Sequence, residues 1–295
     1  MHDYRVKTKS SLIEYLAKLG ITRTKSKQLL RHKAIGVNGK AVKSLDHILL
    51  EGDRVSISKD KKDTEKAPPL GIKIIFEDDV LIVVEKPCGL LTIATDKEKT
   101  KTLYFQLNEF LRLRSPLAFE RVFIVHRLDR ETSGLIMFAK NEKIKFMLQN
   151  NWKQVEKRYY AVVEGTPAKK EGVIESCLKE TKTLKVFSGS HSAADLPAGR
   201  QGLTPREESK LSKTKYKVLK PGKDHTLLDV QLETGHKNQI RVHLADIGHP
   251  VVGDKKYGAK TNPFKRLGLH AYVLSFKHPI TGKSLRFESK IPKIQ

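Results

Sequence analysis

The chain has 295 residues and a formal net charge of +24, with 38% hydrophobic and 31% charged residues. This composition is typical of a globular protein of about two domains, and the excess of positive charge predicts a polyanionic partner, with nucleic acid as the first candidate. The sequence contains no apolar run of membrane-spanning length, no signal-peptide pattern and only two widely spaced cysteines, so we expect a cytoplasmic protein with no membrane partner and no disulfide framework.

Residues 10–58 predict a small unit of two helices and short strands. Ser10 or Ser11 can cap the first helix, whose apolar residues repeat at helical spacing up to Gly20. After the second helix, Asn38-Gly39 predicts a tight hairpin, because this dipeptide accepts the positive φ angles of a type I′ turn. The second helix has cations and no acid, a pattern that indicates phosphate contacts: Arg23, Lys25, Lys27, Arg31 and Lys33.

Residues 59–69 form a charged stretch with no apolar period that ends in two prolines, and we place a linker there. Residues 70–295 then form the larger domain, in which predicted strands outnumber predicted helices. Within that domain, residues 188–212 have little apolar content, so we expect a flexible insertion without a catalytic role.

The segment that is richest in reactive side chains runs from His126 to Gly134 and reads His-Arg-Leu-Asp-Arg-Glu-Thr-Ser-Gly, between two apolar runs that predict buried strands. We expect such a polar connection at an edge of the sheet, where it can reach a substrate. Arg127 and Arg130 flank Asp129 and favour its ionised form, which suits a nucleophile or a base. The alternative is that Asp129 opens an Asx-type turn before Ser133-Gly134, a turn signal with which the segment ends.

Two later segments contain residues that can serve the same chemistry. Alternation along a predicted strand puts Tyr159 and Tyr160 on opposite faces, and Tyr159 either packs in the core or supports a nucleobase. Arg241, near the start of a predicted helix, can clamp a phosphate, pair with a buried carboxylate or form a surface salt bridge. The three nearby histidines lack the spacing of a zinc site, and we expect no metal: His236, His243 and His249.

Two family resemblances bring these features together. Residues 10–58 resemble the S4 RNA-binding domain in the Thr-Arg-Thr-Lys-Ser-Lys helix start, the Val-Asn-Gly-Lys turn that ends at Lys40 and the Gly-Asp-Arg-Val ending. Residues 72–293 resemble the RluA family of pseudouridine synthases, and four segments carry the match: 79–87, 126–134, 157–161 and 235–258.

The resemblance implies an α+β fold, in which a small S4 domain precedes a synthase domain with a mixed, mainly antiparallel central sheet flanked by helices and loops. It implies an isomerase that converts uridine in RNA to pseudouridine without metal or cofactor. We expect the protein to be a monomer. Asp129 would be the catalytic carboxylate, with Tyr159 and Arg241 beside it in the active site. Arg127 would enter the space that a flipped base leaves. Further RNA contacts are expected from Arg130, from Lys40 and from the cations of the second helix.

The expected substrate is 23S ribosomal RNA, with transfer RNA as the alternative. The family's usual motif here is Thr-Gly-Arg-x-His-Gln-Ile-Arg. In this chain, His236 stands in place of the first arginine of the motif and Asn238 in place of its histidine. Those two replacements leave the local RNA contacts and the target nucleotide open.

Two other classes of function remain as alternatives. A non-catalytic RNA-binding or ribosome-assembly protein would need only the S4 domain and the positive charge, although all three expected catalytic residues are present. An RNA glycosidase would need two carboxylates on opposite sides of the bond that breaks. Glu131, the available partner for Asp129, lies on the same short loop and is therefore poorly placed as a proton donor.

Overall fold

A computed structural model of the chain describes residues 2–31, 34–57, 72–114, 121–180, 186–189 and 210–291. The chain divides into two compact units, of which the first comprises residues 1–71 and 106–121 and the second comprises residues 72–105 and 122–295. The predicted linker, residues 59–69, lies outside the described residues. No helix in the described ranges has both the length and the apolar character needed to cross a membrane.

The N-terminal part of the first unit, residues 2–57, combines two helices with short strands, as its sequence predicts. Ser11 caps the first helix and Glu14 completes a capping box. The hairpin turn has Asn38 at φ 51° and Gly39 at φ 80°, and the Asn38 side chain donates to Asp53 at 2.8 Å. The elements are β1 (His2–Arg5), β2 (Ser10–Ser11), α1 (Leu12–Lys18), α2 (Arg23–Arg31), β3 (Ile35–Val37), β4 (Lys40–Ala41), β5 (Ile48–Leu49) and β6 (Arg54–Ile57).

These strands form two small sheets. The larger has the order β1-β6-β3-β4, and β2 pairs with β5. The sequence analysis missed β1, which precedes the predicted start of the domain at residue 10 and pairs antiparallel with β6. Its pairing partner is some fifty positions further along the chain, so no local pattern indicates it.

The second unit is built on one sheet of 11 strands. The helix α3 (Leu103–Arg114) begins in this unit, and its residues from 106 onwards belong to the first unit. The other elements are β7 (Lys73–Glu77), β8 (Leu81–Lys86), β9 (Phe123–Ile124), β10 (Ser133–Ala139), α4 (Glu142–Asn150), β11 (Glu156–Glu164), β12 (Glu171–Glu180), β13 (Val186–Gly189), β14 (Lys210–Lys220), β15 (His225–Leu232), α5 (Gln239–Asp246), β16 (Leu269–Lys277) and β17 (Ser284–Glu288).

The strand order is β13-β12-β14-β15-β11-β16-β10-β8-β7, with β17 on β16 and β9 on β10. Among the described pairings, β10 with β16 is parallel and the others in this sheet are antiparallel. A mixed, mainly antiparallel sheet that follows an S4-type unit along the chain confirms the predicted fold class.

The helices α4 and α5 cover different parts of the sheet. Ile144 and Leu148 of α4 pack on β8 and β10, whereas Ile240 and Leu244 of α5 pack on the β11 and β15 region, in the same core cluster as Tyr159. Tyr160 lies on the opposite face of β11 and stacks on Tyr272 with ring centroids 3.7 Å apart. The predicted alternation along this strand is therefore confirmed.

The predicted insertion has ordered ends. Ser188 and Gly189 belong to β13, and residues 210–212 belong to β14, so both ends pair with β12. The remainder, residues 190–209, lies outside the described residues. The flexibility of that remainder stays a prediction.

Ser133 and Gly134 are in β10, so the predicted Ser-Gly turn at the end of the 126–134 segment is wrong. Gly134 has φ 117°, and a Cβ atom there would overlap the Ala271 carbonyl oxygen. The parallel pairing of β10 with β16 consists of Ser133 with His270 and Gly134 with Ala271. The glycine is required because two backbones approach closely, and not because the chain turns.

Replacing Gly134 by Ala is therefore expected to lower the free energy of unfolding by roughly 2–3 kcal/mol, because the parallel pair must open or strain. Gly282→Ala is the matched control, since Gly282 also has a positive φ of 68° but no atom lies within 4 Å of the place that its new methyl group would take. Urea unfolding followed by the fluorescence of Trp152, the only tryptophan, measures both variants. Equal losses in the two variants would contradict the close-approach argument.

Candidate active site

A cavity of about 450 Å³ lies in the second unit. The loop before β10, the strand β11 and the N-terminal end of α5 supply most of its wall. Three of the residues that line it are the predicted catalytic residues, Asp129, Tyr159 and Arg241, and Arg127 lines it as well. The other lining residues are Leu128, Thr132, Glu180, Leu232, Gly235, His236, Lys237, Asn238, Gln239, Ile240 and Leu269.

The backbone of the loop turns directly after Asp129. The Thr132 amide donates to the Asp129 carbonyl oxygen at 3.2 Å, so the turn is closed by the main chain and does not need the carboxylate. The carboxylate is 25% exposed, and its Oδ2 atom lies 3.7 Å from Nη1 of Arg241. Thr92 fixes the preceding residue through Oγ1, which lies 2.7 Å from the Leu128 carbonyl oxygen and 3.2 Å from its amide nitrogen.

Lys86 ties the loop before β10 to the segment after β8, a role that the sequence analysis missed. Its side chain is fully buried, and Nζ donates to the carbonyl oxygens of Pro87, Leu90 and Arg130 at 3.0, 2.7 and 3.1 Å. Burial lowers the pKa of Lys86 to about 8. The only sequence signal is a lysine that ends an apolar strand, directly before a proline.

Arg130 is exposed and is not among the residues that line the cavity. Its Nε atom donates to the Gly89 carbonyl oxygen at 3.0 Å, and the Gly89 amide donates back to the Arg130 carbonyl oxygen at 2.9 Å. Arg130 thus ties the loop to the segment after β8. The contact of Arg130 with RNA stays a prediction.

A buried hydrogen-bonded chain fixes the start of β10. Arg266 donates to Ser133 Oγ at 2.5 Å, and that oxygen lies 2.8 Å from His270 Nδ1. On the other side of the ring, His270 Nε2 lies 2.9 Å from Ser289 Oγ, which donates to Glu85 at 2.7 Å. Because the single hydroxyl hydrogen of Ser289 is donated to Glu85, the Ser289 oxygen accepts a hydrogen bond from the Nε2–H group of a neutral imidazole, and Ser133 donates to Nδ1.

Arg241 is held mainly by Asp254, a residue that the sequence analysis did not single out. The guanidinium donates through Nε and Nη2 to the two carboxylate oxygens of Asp254, at 2.6 and 2.7 Å. The Arg241 side chain is 11% exposed and that of Asp254 is fully buried. Of the three roles that the sequence left open for Arg241, the structure shows the pairing with a buried carboxylate.

Tyr159 projects from β11 into the cavity. Burial raises the pKa of its phenol above the ordinary value, and the negative charge of Asp129 raises it further. The hydroxyl therefore stays protonated at neutral pH. This environment favours a flat, neutral ring that can lie against a base.

Gln239 connects the loop before α5 to β14. Its amide nitrogen donates to the Lys213 carbonyl oxygen at 3.1 Å and to Thr214 Oγ1 at 2.9 Å. Its amide oxygen accepts from Thr234 Oγ1 at 2.9 Å and from the His236 amide at 3.0 Å. All the hydrogen-bonding positions of this buried side chain are filled, so Gln239 holds the loop before α5 in place.

Most of the predicted RNA-binding residues in the first unit are accessible. Arg23, Lys27 and Lys40 are exposed, and Lys25 is exposed in part of its side chain. The side chain of Arg31 and the whole of Lys33 lie outside the described residues. The three histidines do not converge: His243 contacts Thr214 and Ser176, whereas His249 contacts the Glu164 carbonyl oxygen.

Among the residues that the structure describes, no group of three or more His, Cys, Asp or Glu side chains is arranged to hold a metal ion. On the cavity wall, Lys237 pairs with Glu180 of β12. The polar lining is thus mostly cationic or neutral, with Asp129 and Glu180 as its carboxylates.

Two buried histidines predict a loss of stability in acid. His243 and His270 are 0% and 3% exposed, and burial lowers the pKa of each to about 4. The ordinary histidine pKa is about 6.5, so between these values the unfolded chain binds more protons than the folded one. Stability is therefore complete above about pH 6.5 and falls towards pH 4, by on the order of 2–3 kcal/mol per histidine.

Urea unfolding followed by Trp152 fluorescence between pH 7.5 and pH 4.5 measures this fall. His243→Gln removes one titrating ring and is expected to make the fall shallower, whatever the variant costs at pH 7.5. His47→Gln, at an exposed position in the first unit, is the control and is expected to leave the profile unchanged. A wild-type profile that is flat over this range would contradict the argument.

Two protein families match this chain. The profile of the family described as RNA pseudouridylate synthase matches residues 80–246, and that of the S4 domain matches residues 12–55. The chain is 35% identical over 278 residues to an uncharacterized RNA pseudouridine synthase of Bacillus subtilis, covering 92% of this chain and 86% of that protein.

A protein of Vibrio cholerae serotype O1 named ribosomal large subunit pseudouridine synthase D is 31% identical over 290 residues, covering 92% of this chain and 84% of its own length. Among solved structures, human RNA pseudouridylate synthase domain containing 4 is similar, with a TM-score of 0.58 and 25% identity. That similarity covers 75% of this chain and 89% of the human chain.

Proposed function

Because the chain belongs to the RNA pseudouridylate synthase family and is therefore an isomerase of uridine in RNA, we propose that it acts on large-subunit ribosomal RNA with Asp129 as its catalytic carboxylate. One observation carries the assignment of the residue. The Asp129 carboxylate faces the Arg241 guanidinium at 3.7 Å on the wall of a cavity that Tyr159 also lines.

The reaction requires one fixed carboxylate and no net redox change. The N1–C1′ bond of uridine breaks, the uracil rotates, a C5–C1′ bond forms and the C5 hydrogen leaves as a proton. Asp129 either attacks the nucleotide or removes the C2′ proton, and both routes use the same ionised oxygen. Arg241 lies close enough to stabilise the negative charge in either route.

Tyr159 is proposed to stack on the uracil while it rotates. Its raised pKa makes a phenolate rare at neutral pH, which favours the stacking role over removal of the C5 proton. Arg127 is exposed at the cavity and can fill the space that the flipped base leaves. Flipping costs roughly a few kcal/mol, which phosphate contacts of this strongly cationic chain can offset.

Two findings support ribosomal RNA as the substrate. The Vibrio cholerae relative is named for the large ribosomal subunit, and the S4-type unit of this chain presents exposed cations on α2. We propose the cytoplasm as the site of action, since ribosomal RNA is modified there in bacteria. We also propose that the enzyme acts as a monomer.

Release of tritium from C5-labelled uridine tests the proposal directly. Purified enzyme is incubated with transcripts of the large-subunit ribosomal RNA, the small-subunit ribosomal RNA and a transfer RNA pool. Release from the large-subunit transcript alone is the expected result. Release from transfer RNA alone would make transfer RNA the substrate in place of ribosomal RNA. Release from none of the three RNAs would favour a non-catalytic RNA-binding protein. Free uracil among the products would favour a glycosidase.

A further inference from the structure

Lys237 lines the same cavity as Asp129 and is paired there with a carboxylate that also lines it. Its Nζ atom donates to Oε1 of Glu180, the last residue of β12. The side chains of Lys237 and Glu180 are 31% and 39% exposed. Breaking an ion pair with this exposure changes an equilibrium constant by at most about fivefold, because water solvates both charges once they separate. Lys237 can therefore exchange Glu180 for another anion at little cost.

Arg241 cannot make such an exchange. Its partner Asp254 is fully buried, and separating the two would change an equilibrium constant by at least about a hundredfold. Of these two cations on the cavity wall, Lys237 is the one that can turn to a ligand.

Lys256 adds another cation to this part of the molecule. It lies in the short turn Lys255–Tyr257 that directly follows Asp254, and its side chain is exposed. Its Nζ atom lies 5.5 Å from the centre of the Tyr257 ring, and the Arg241 guanidinium lies 5.0 Å from the same centre. The Lys256 ammonium thus belongs to the surroundings of the catalytic pair.

The charges around Lys256 favour an anion. Burial lowers the pKa of Lys256, and the positive charges of Arg241 and Lys237 lower it further. The carboxylates of Asp129 and Asp254 act in the opposite direction, but each has a smaller effect than either cation. Positive charge therefore prevails at Lys256, and an anion bound there would relieve the repulsion between the cations.

We propose that Lys237 and Lys256 bind a phosphate of the RNA backbone beside the uridine that reacts, and that Lys237 leaves Glu180 to do so. The proposal rests on the proposed function, in which Asp129 meets the reacting nucleotide. The ribose of that nucleotide has a phosphate on each side, so cations next to Asp129 lie within reach of one of them. Glu180 then competes with the phosphate for Lys237 and weakens RNA binding.

Filter binding with the large-subunit transcript tests this exchange, because the two members of the pair should have opposite effects. Lys237→Met is expected to weaken RNA binding roughly tenfold and to lower the slope of log Kd against log salt by about one, since one phosphate contact is lost. Glu180→Gln is expected to tighten binding about two- to fivefold, since the competing carboxylate is gone. Weaker binding by Glu180→Gln would show that the pair is only structural, and would overturn the proposal.

Glu175→Gln and Lys213→Met are the matched controls. Glu175 and Lys213 form an exposed ion pair at 3.8 Å, with Glu175 on the same strand as Glu180, and neither residue lines the cavity. Each control is expected to change RNA affinity by less than about twofold. Control changes as large as those of Glu180→Gln and Lys237→Met would mean that net charge alone sets affinity, and would contradict the proposed subsite.

The double variant Glu180→Gln with Lys237→Met shows whether Glu180 acts through Lys237. Once Lys237 is replaced, the Glu180 substitution is expected to have no further effect on affinity. Lys256→Met is expected to weaken binding roughly three- to tenfold, and Glu180→Gln should still tighten binding in that variant because Lys237 is present. Equal tightening by Glu180→Gln with and without Lys237, or wild-type affinity in Lys256→Met, would rule the subsite out.

Tritium release separates a failure of this proposal from a failure of the proposed function. Both lysine variants are expected to raise KM with kcat changed less than about twofold, because a phosphate contact holds the substrate and its transition state alike. A loss of kcat with unchanged RNA affinity in either lysine variant would overturn the subsite and leave the proposed substrate standing. The affinities do not depend on turnover, so an enzyme that proves inactive on every RNA contradicts the proposed function and leaves the binding test in force.

Discussion

Asp129→Asn is expected to lower kcat for pseudouridine formation by at least about a thousandfold, because a neutral amide neither attacks the nucleotide nor accepts a proton. The amide has the same shape as the carboxylate, and the turn after residue 129 is closed by the main chain. Folding should therefore be preserved. RNA affinity should change by less than about twofold, since the lost charge is negative and phosphate contacts come from cations.

Tritium release under single-turnover conditions, with RNA affinity measured in parallel by filter binding, checks this expectation. Glu131→Gln is the matched control, because it removes a carboxylate from the same loop at an exposed position. It is expected to keep near-normal turnover. Near-normal turnover by Asp129→Asn would contradict the proposed mechanism. Equal losses of turnover in the two variants would instead support the glycosidase alternative, which needs two carboxylates.

Arg241→Met is expected to lower the free energy of unfolding of the second unit by about 3–5 kcal/mol, because it leaves the carboxylate of Asp254 buried without a partner. That side chain is fully buried and receives two hydrogen bonds from Arg241. The variant should also lose catalysis. Urea unfolding followed by Trp152 fluorescence and the tritium assay together measure both effects.

The double variant Arg241→Met with Asp254→Leu separates the two effects. Replacing both members of a buried ion pair by apolar side chains of similar size is often neutral for stability, so most of the lost stability should return. Activity should not return, because no cation then takes the place of Arg241 beside Asp129. Recovery of activity in the double variant would show that Arg241 acts only by neutralising Asp254, and that its 3.7 Å approach to Asp129 is incidental.

Much of the fold could be predicted because its signals are local. The Ser11 cap of the first helix and the Asn38-Gly39 turn each depend on residues no more than three positions apart. The alternation along β11 likewise follows from the pleat of one strand, and it placed Tyr159 and Tyr160 on opposite faces. The family resemblance then identified Asp129, Tyr159 and Arg241, which the structure brings to one cavity.

The predictions that were wrong or missing concern contacts between distant parts of the chain. Gly134 looked like a turn residue, but the close approach of Ala271 across the parallel pair requires it. Lys86 reaches the Arg130 carbonyl oxygen 44 positions away, and Glu85 receives its hydrogen bond from Ser289, 204 positions away. No pattern within a helix or a strand indicates such partners.

Local residue patterns were enough to predict most of the helices and strands, and the net charge was enough to predict an RNA partner. The family resemblance supplied the expected catalytic residues. How Arg241 is held, in contrast, is visible only in the folded chain. Asp254 lies 13 positions from Arg241, and Asn238, whose side chain accepts from Arg241, adopts a left-handed conformation that turns its side chain away from the usual cap. Which donor meets which acceptor depends on how the sheet and α5 pack, and packing sets distances that the order of residues does not contain.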